Sequence, residues 1–393
     1  MLFKKSRIYC DSASTTPLDP LVSKAMKATL DVFANPSSLY MEGTRVRDMI
    51  ISCRRRVAKV LNANQYEIVF TSGGTESNNL ALVGVIEGLV RKGRSYSSLH
   101  IISTEIEHSS ILEPLKVLEK KGVRVTRIKP GQDGVVSVSD IKGAITSETV
   151  LVSVMYVNNE VGTIQPISKI GRLIEEEKQR REDASLRTPI FFHSDASQAP
   201  LALSLSVDKL GVHLITLDGH KMYGPKGVGM LYVKRGTDIE PLFGGGGQEG
   251  GLRSTTENLL GIVGFTEALT LAHTRRDAFV SSMEKVQEAF VQALGQYVPQ
   301  AVINGSLKDR VPHNINVWIP AIDAEFVVIK LDVHGVACST KSSCLKGEDK
   351  SYVLYAMTQD ASRAQSSLRF TFLRTATQKD AVRVARTLAS VLS

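Results

Sequence analysis

Seven short β-rich runs alternate with helix-patterned segments through the first two-thirds of this chain, and no other feature restricts its fold so much. The runs cover residues 67–71, 100–104, 123–129, 150–157, 189–193, 213–217 and 228–234. Between them lie stretches with helical spacing, among them 75–91, 110–121 and 167–181. Alternation of this kind predicts a mostly parallel sheet with helices on both faces. Several runs are apolar without a break, as strands covered on both sides should be. The expected fold class is therefore α/β, a mostly parallel seven-stranded sheet sandwiched by helices, with a smaller α+β unit beside it.

That second unit is read from the carboxyl-terminal third. A glycine-rich stretch, Gly244-Gly245-Gly246-Gly247-Gln248-Glu249-Gly250-Gly251, marks either a mobile loop or a backbone that must approach something closely. After it come a long helical pattern at about 259–297 and shorter strands near 314–318 and 367–372. We expect a large domain over 15–262, and a small one formed by 1–14 with 263–393; 393 residues are too many for a single typical core. Residues 180–188 read as a charged surface loop, and Arg54-Arg55-Arg56 as a solvated helix face.

Composition excludes several classes. Hydrophobic residues at 42% and charged residues at 22% suit an ordinary soluble protein. No apolar run is long enough to span a bilayer, and no signal-peptide core precedes Ile8, so the expected location is cytoplasmic. The net charge of +8 comes without a dense basic run interleaved with aromatics, which argues against nucleic acid as a partner. The four cysteines, Cys10, Cys53, Cys338 and Cys344, are too few for a disulfide scaffold, and no Cys/His set completes a metal site.

Chemistry gathers where the strands end. The run 213–217 feeds Leu217-Asp218-Gly219-His220-Lys221-Met222-Tyr223-Gly224-Pro225-Lys226-Gly227, which presents a primary amine at a strand's carboxyl end, where open α/β sheets place ligands. The run 189–193 delivers Asp195. An amine for a Schiff base and a carboxylate for a pyridinium nitrogen are the two protein groups that pyridoxal phosphate chemistry needs. Thr71-Ser72-Gly73-Gly74-Thr75-Glu76-Ser77-Asn78 follows a strand and opens a helix, which suits a phosphate cradle or simple capping by Ser72 or Thr75. His108 follows another strand and could stack on a cofactor ring and move protons. Asn159 and Gln198 offer amides, and His220 a phosphate partner.

Outside these strand ends, Cys344 lies in a polar segment with Lys341 and Lys346, as an exposed, mobile thiol whose thiolate they would favour. Cys338 reads as a packing residue. Arg369 could grip a carboxylate with two hydrogen bonds, or form a structural salt bridge. Taken singly, Lys221 could be a solvated lysine, His108 a surface group and Cys344 an ordinary thiol. Taken together, the strand-end motifs place polar groups at the ends of five successive strands.

In these residues and their order the chain resembles the cysteine desulfurases, within the class V aminotransferases and the fold-type I pyridoxal phosphate enzymes. The resemblance runs from Tyr9-Cys10-Asp11-Ser12-Ala13-Ser14-Thr15-Thr16-Pro17 to Ser367-Leu368-Arg369-Phe370. It takes in Asn35-Pro36-Ser37-Ser38, Gly74-Thr75-Glu76-Ser77, Glu107-His108, Asn158-Asn159-Glu160, Asp195-Ala196-Ser197-Gln198, Gly219-His220-Lys221 and Arg253-Ser254-Thr255-Thr256. It implies that Lys221 carries pyridoxal phosphate covalently, that His108 stacks on the ring and that Asp195 pairs the pyridine nitrogen. It further implies Asn159 and Gln198 near the phenolic oxygen, and Gly74, Thr75 and His220 at the phosphate, with Thr256 reaching in from the second subunit of a homodimer. Asn35 and Arg369 would hold the substrate carboxylate.

Ser342-Ser343-Cys344 matches the family's nucleophile element. The implied reaction converts L-cysteine to L-alanine and leaves a persulfide on Cys344, for delivery to an iron–sulfur scaffold or a tRNA-thiolation enzyme. Kindred possibilities are a selenocysteine lyase, another class V lyase or transaminase, and a non-catalytic assembly partner. Three positions depart from the pattern. Asp218 stands where many relatives carry serine, and an ionised carboxylate there would repel a phosphate dianion unless turned away or protonated. Thr255 replaces a usual glycine, and the stretch 345–350 is slightly shorter than the common long form.

Overall fold

The computed structural model describes residues 7–340 and 350–393. Among these residues the strands are β1 (Ile8–Tyr9), β2 (Ile68–Thr71), β3 (His100–Thr104), β4 (Arg124–Ile128), β5 (Thr149–Ser153), β6 (Phe191–Asp195), β7 (Leu214–Asp218), β8 (Gly229–Val233), β9 (Val302–Asn304), β10 (Asn314–Trp318), β11 (Val336–Ala337) and β12 (Ser367–Thr371). All seven β-rich runs of the first two-thirds enter one sheet, in the order β2-β8-β7-β6-β5-β3-β4. The pairs β3–β4, β3–β5, β5–β6 and β6–β7 are parallel, as the intervening helices require. Only β8 reverses, lying antiparallel to both β2 and β7. Every residue of β2, β3, β5, β6 and β8 is buried, which accounts for their unbroken apolar character.

The reversal of β8 brings two strand ends to one glycine. Gly229 pairs with Thr71 on one side and with Asp218 on the other. A Cβ on Gly229 would lie 2.7 Å from the Cα and carbonyl carbon of Gly73 and 2.8 Å from the Leu217 carbonyl oxygen. The turns that follow β2 and β7 therefore meet across a residue with no side chain.

The helix Leu259–Tyr297 is capped by Asn258, whose side chain accepts the Gly261 N–H, and it buries Phe265, Phe279, Met283 and Phe290. Phe290 packs its ring 5.2 Å from both Phe370 and Phe372, beside a three-stranded antiparallel sheet of order β12-β10-β9. β1 pairs in parallel with β11, and Asp11 bridges to Thr371. One continuous apolar core includes Ile8, Val22, Phe192, Phe265 and Phe370. Among the described residues no helix is long and apolar enough to cross a membrane.

Several local expectations are corrected. The strand expected at 150–157 stops at Ser153, and the one expected at 189–193 runs from Phe191 to Asp195. The helix Ile167–Asp183 continues into the expected surface loop at 180–188, and Arg181 is fully buried. Arg181 donates to the carbonyls of Thr146 and Thr149 at 2.8 Å and pairs with Glu177, so its charge serves the interior. Arg54 also leaves the solvated face assigned to it. It forks onto Glu249 with two 2.8 Å hydrogen bonds and lies over the Phe70 ring. Glu249 in turn accepts from the Phe70 N–H at 2.9 Å, pinning the end of the glycine-rich stretch to β2.

Candidate active site

A pocket opens beyond the carboxyl ends of β5, β6 and β7, the position where parallel sheets collect ligands. Lys221 enters it from the 3₁₀ turn Gly219–Lys221 that follows β7. That turn is tight: a Cβ on Gly219 would sit 2.9 Å from the Pro225 carbonyl oxygen. Lys221 Nζ donates to the carbonyls of Ala13 at 2.7 Å and Ser14 at 2.8 Å. The amine is thus held by the loop after β1 and is not a freely solvated lysine.

Asp195 ends β6, the neighbour of β7. Its Oδ1 accepts from the Ser197 N–H at 2.9 Å, and its Oδ2 from Asn78 Nδ2 at 2.8 Å. Asn78 Nδ2 also donates to Ser110 Oγ at 2.8 Å. Ser110 Oγ lies 2.8 Å from His108 Nδ1, which accepts the Ser110 N–H as well. Nδ1 therefore carries a lone pair, and the proton of the neutral ring is assigned to Nε2. The sequence motifs give Asn78 and Ser110 no role, yet here they join the carboxylate to the imidazole. Neighbouring Glu107 is fully buried, accepting from Thr104 Oγ1 at 2.8 Å and the Met155 N–H at 2.9 Å. Burial outweighs those two hydrogen bonds and, with the nearby Asp195 charge, pushes its carboxyl up to about 8.

The helical run that follows β2 begins at Gly74 after Gly73 with no side-chain cap, so neither Ser72 nor Thr75 takes the capping part. Instead Asp218 Oδ2 accepts the Gly74 N–H at 2.8 Å, and Oδ1 lies 3.4 Å from His220 Nε2. Burial raises the Asp218 carboxyl, but His220, the Gly74 N–H and the Lys221 charge together hold it below the ordinary carboxylate value. The carboxylate is not turned away, and its lowered value favours the ionised form. It faces the helix start.

Arg369, in β12, is almost wholly buried. It pairs with Asp11 Oδ1 at 2.7 Å and donates to Ser14 Oγ at 2.8 Å and the Asn159 carbonyl at 3.1 Å. The salt bridge to Asp11 matches the structural reading of Arg369, and the side chain also lines the pocket. Its Nε and Asn159 Oδ1 are buried without a hydrogen-bond partner among the described residues. Gln198 lines the same pocket and spends its amide N–H on the Ala13 carbonyl at 2.9 Å.

The pocket brings together Gly74, Thr75, His108, Asn159 and Asp195, and with them Gln198, His220, Lys221 and Arg369. It does not include Asn35, which is exposed and accepts from the Ser37 N–H at 2.9 Å, nor Thr256, which is also exposed. Cys344 and its Ser342-Ser343 lead lie outside the described residues. Cys10, Cys53 and Cys338 are all free and buried. Burial pushes the Cys338 thiol up to about 12, aided by Asp11, and raises the other two as well.

Known proteins resemble this chain over most of its length. "Cysteine desulfurase IscS" of Dictyoglomus turgidum is 38% identical over 96% of this chain and 92% of its own length. "Cysteine desulfurase, mitosomal" of Trachipleistophora hominis is 36% identical over 98% of this chain and 86% of its own. Among solved structures, a "NifS-like protein" superposes with a TM-score of 0.88 at 32% identity, covering 98% of this chain and 99% of that one. A second, "SspA in complex with cysteine", has a TM-score of 0.78 at 33% identity, covering 93% and 98%. The family described as Aminotransferase class-V matches residues 8–384, and this chain belongs to it.

Proposed function

We propose that this protein is a pyridoxal-phosphate-dependent cysteine desulfurase that converts L-cysteine to L-alanine and leaves the sulfur as a persulfide on Cys344. The observation that carries this reading is the Lys221 amine and the Asp195 carboxylate opening into one pocket from adjacent parallel strands. The residues present suit the cofactor of this family. Lys221 would hold it covalently, Asp195 would face its ring nitrogen, His108 its ring, and Thr75 with His220 its phosphate. Asn159 Oδ1 and Arg369 Nε, buried and unpartnered among the described residues, are groups awaiting a polar ligand. When bound, pyridoxal phosphate supplies an electron sink that eases loss of the substrate's Cα proton.

This chain's own residues would do the rest. The Arg369 guanidinium, oriented by Asp11 and Ser14, receives the substrate carboxylate. Lys221 Nζ, within reach of the Ala13 and Ser14 carbonyls, takes up the Cα proton and returns it. The net step moves one sulfur atom: the substrate Cβ–S bond breaks, an S–S bond forms on Cys344, and alanine leaves without an external oxidant. The buried state of Cys10, Cys53 and Cys338 supports assignment of the nucleophile to Cys344.

The proposal extends to a homodimer in a cytoplasmic setting, passing sulfur to an iron–sulfur scaffold or a tRNA-thiolation enzyme. A run of exposed apolar side chains around Asn35, including Phe33, Leu39 and Met41, supports a second copy. The test is mass spectrometry of the Cys344 peptide after exposure to L-cysteine, with alanine release followed alongside. One added sulfur atom per chain is expected, lost in Lys221→Ala and in Cys344→Ala. Absence of both alanine and the added mass from the intact chain overturns the reading.

A further inference from the structure

The start of the continuous helical run 74–91, after β2, is where an anion would be received, and an anion of the chain's own is already there. Asp218 Oδ2 takes the Gly74 N–H at 2.8 Å, and a Cβ on Gly73 or Gly74 would meet that same oxygen at 3.4 or 3.1 Å. The carboxylate lines the pocket with His220 and Lys221. We propose that Asp218 is a specificity-determining residue that makes uptake of the cofactor's phosphate depend on a proton, so that the group is admitted with one negative charge fewer. This rests on the pyridoxal phosphate reading above.

The charge balance leads there. A phosphate ester carries close to two negative charges at neutral pH, with its second pKa near 6. Setting it against an ionised carboxylate in a partly desolvated seat is opposed by several-fold more than in water. The titratable groups facing Asp218 from its own segment are His220, with Nε2 at 3.4 Å, and Lys221. From the other walls come His108, Asp195 and Arg369. Of these, Asp195 is engaged by Asn78 and Ser197, and Arg369 by Asp11. Glu76, in the helix itself, is paired with Arg253 at 2.9 Å. A bound proton, on the ester or on Asp218, removes the surplus charge. His220 Nδ1 lies 3.1 Å from Thr15 Oγ1, so its ring is held beside the carboxylate from the opposite edge.

The test compares the full chain with Asp218→Asn, each freed of cofactor and titrated with pyridoxal phosphate or with pyridoxal, which lacks the phosphate. Calorimetry in two buffers of different ionisation enthalpy counts protons taken up. The wild-type chain is expected to take up close to one proton more with pyridoxal phosphate than with pyridoxal at pH 8, the bond to Lys221 being common to both, and to lose affinity for pyridoxal phosphate steadily from pH 6 to 9. Asp218→Asn is expected to bind pyridoxal phosphate on the order of 10-fold more tightly at pH 8, with a flatter pH profile and pyridoxal affinity unchanged. Equal affinity and equal proton uptake in the two proteins, or an equal gain for pyridoxal, overturns the inference alone. Failure of both proteins to bind pyridoxal phosphate overturns the cofactor reading and this inference with it.

Discussion

Asn78 Nδ2 stands 2.8 Å from Asp195 Oδ2 while also reaching Ser110 Oγ. One amide thus sets the orientation of the carboxylate and, through Ser110, of His108. Asn78→Ala leaves a buried carboxylate oxygen without its donor, a loss of about 1–3 kcal/mol. We expect a lower melting temperature and about 10-fold weaker cofactor binding. Asn78→Asp should be worse, because it sets a second carboxylate against Asp195. Titration and thermal melts decide it; unchanged values in both variants would show that the bridge has no energetic part.

Glu107 gives a pH signature. Its carboxyl, ordinarily near 4.5, lies near 8 in the folded chain. Between those values the folded protein keeps a proton that the unfolded chain has released, so its contribution to stability is full below about pH 4.5 and declines as pH rises toward 8. Glu107→Gln keeps the acceptor used by Thr104 and Met155 and removes the titration. It should melt close to wild type at pH 5 and progressively above it by pH 8. Parallel melting curves across that interval would refute the assignment.

The Arg54–Glu249 pair ties the glycine-rich stretch to β2, and the Glu249 side chain is only 2% exposed. Removing one partner of a buried pair strands the other charge, at about 3–5 kcal/mol. Glu249→Ala is expected to lose stability on that scale and to speed amide exchange over residues 244–251. Arg54→Lys should show an intermediate loss, since lysine cannot supply the fork. Exchange rates matching wild type would mean the stretch is held by other contacts.

Thiol chemistry should separate the four cysteines. With the Cys338 thiol pushed up to about 12 and Cys10 and Cys53 buried, brief alkylation of the native protein at pH 7.5 is expected to give one adduct per chain, on Cys344. Peptide mapping reads the position. Comparable labelling of Cys338 would contradict its packing role.

The sheet was legible because each of its strands announces itself locally: runs such as Ile101–Ile102 and Leu151–Val152 are apolar on both faces, and doubly covered strands need little else. Lys221, Asp195, His108 and Arg369 were legible as residue types in or just after strands. What escaped were pairings between distant segments. Nothing in the basic triplet near Arg54 marks Glu249, 195 residues on, as its partner. Arg181 looks solvated in a charged stretch, and its interior acceptors are backbone carbonyls, which every sequence has. Asp218 was legible as an intruder, but whether its carboxylate turned toward or away from Gly74 depended on how β7 and β2 are brought together.

That closeness traces to Gly229. Because β8 threads between β2 and β7, the spacing of the two turns is kept by a hydrogen atom where any other residue would carry carbon. An alanine at this point would act as a wedge, prising apart the two turns that set the Asp218 carboxylate on the Gly74 N–H while leaving both of those residues intact. The spacing of the two turns is thus governed at a position that contributes no functional group to them.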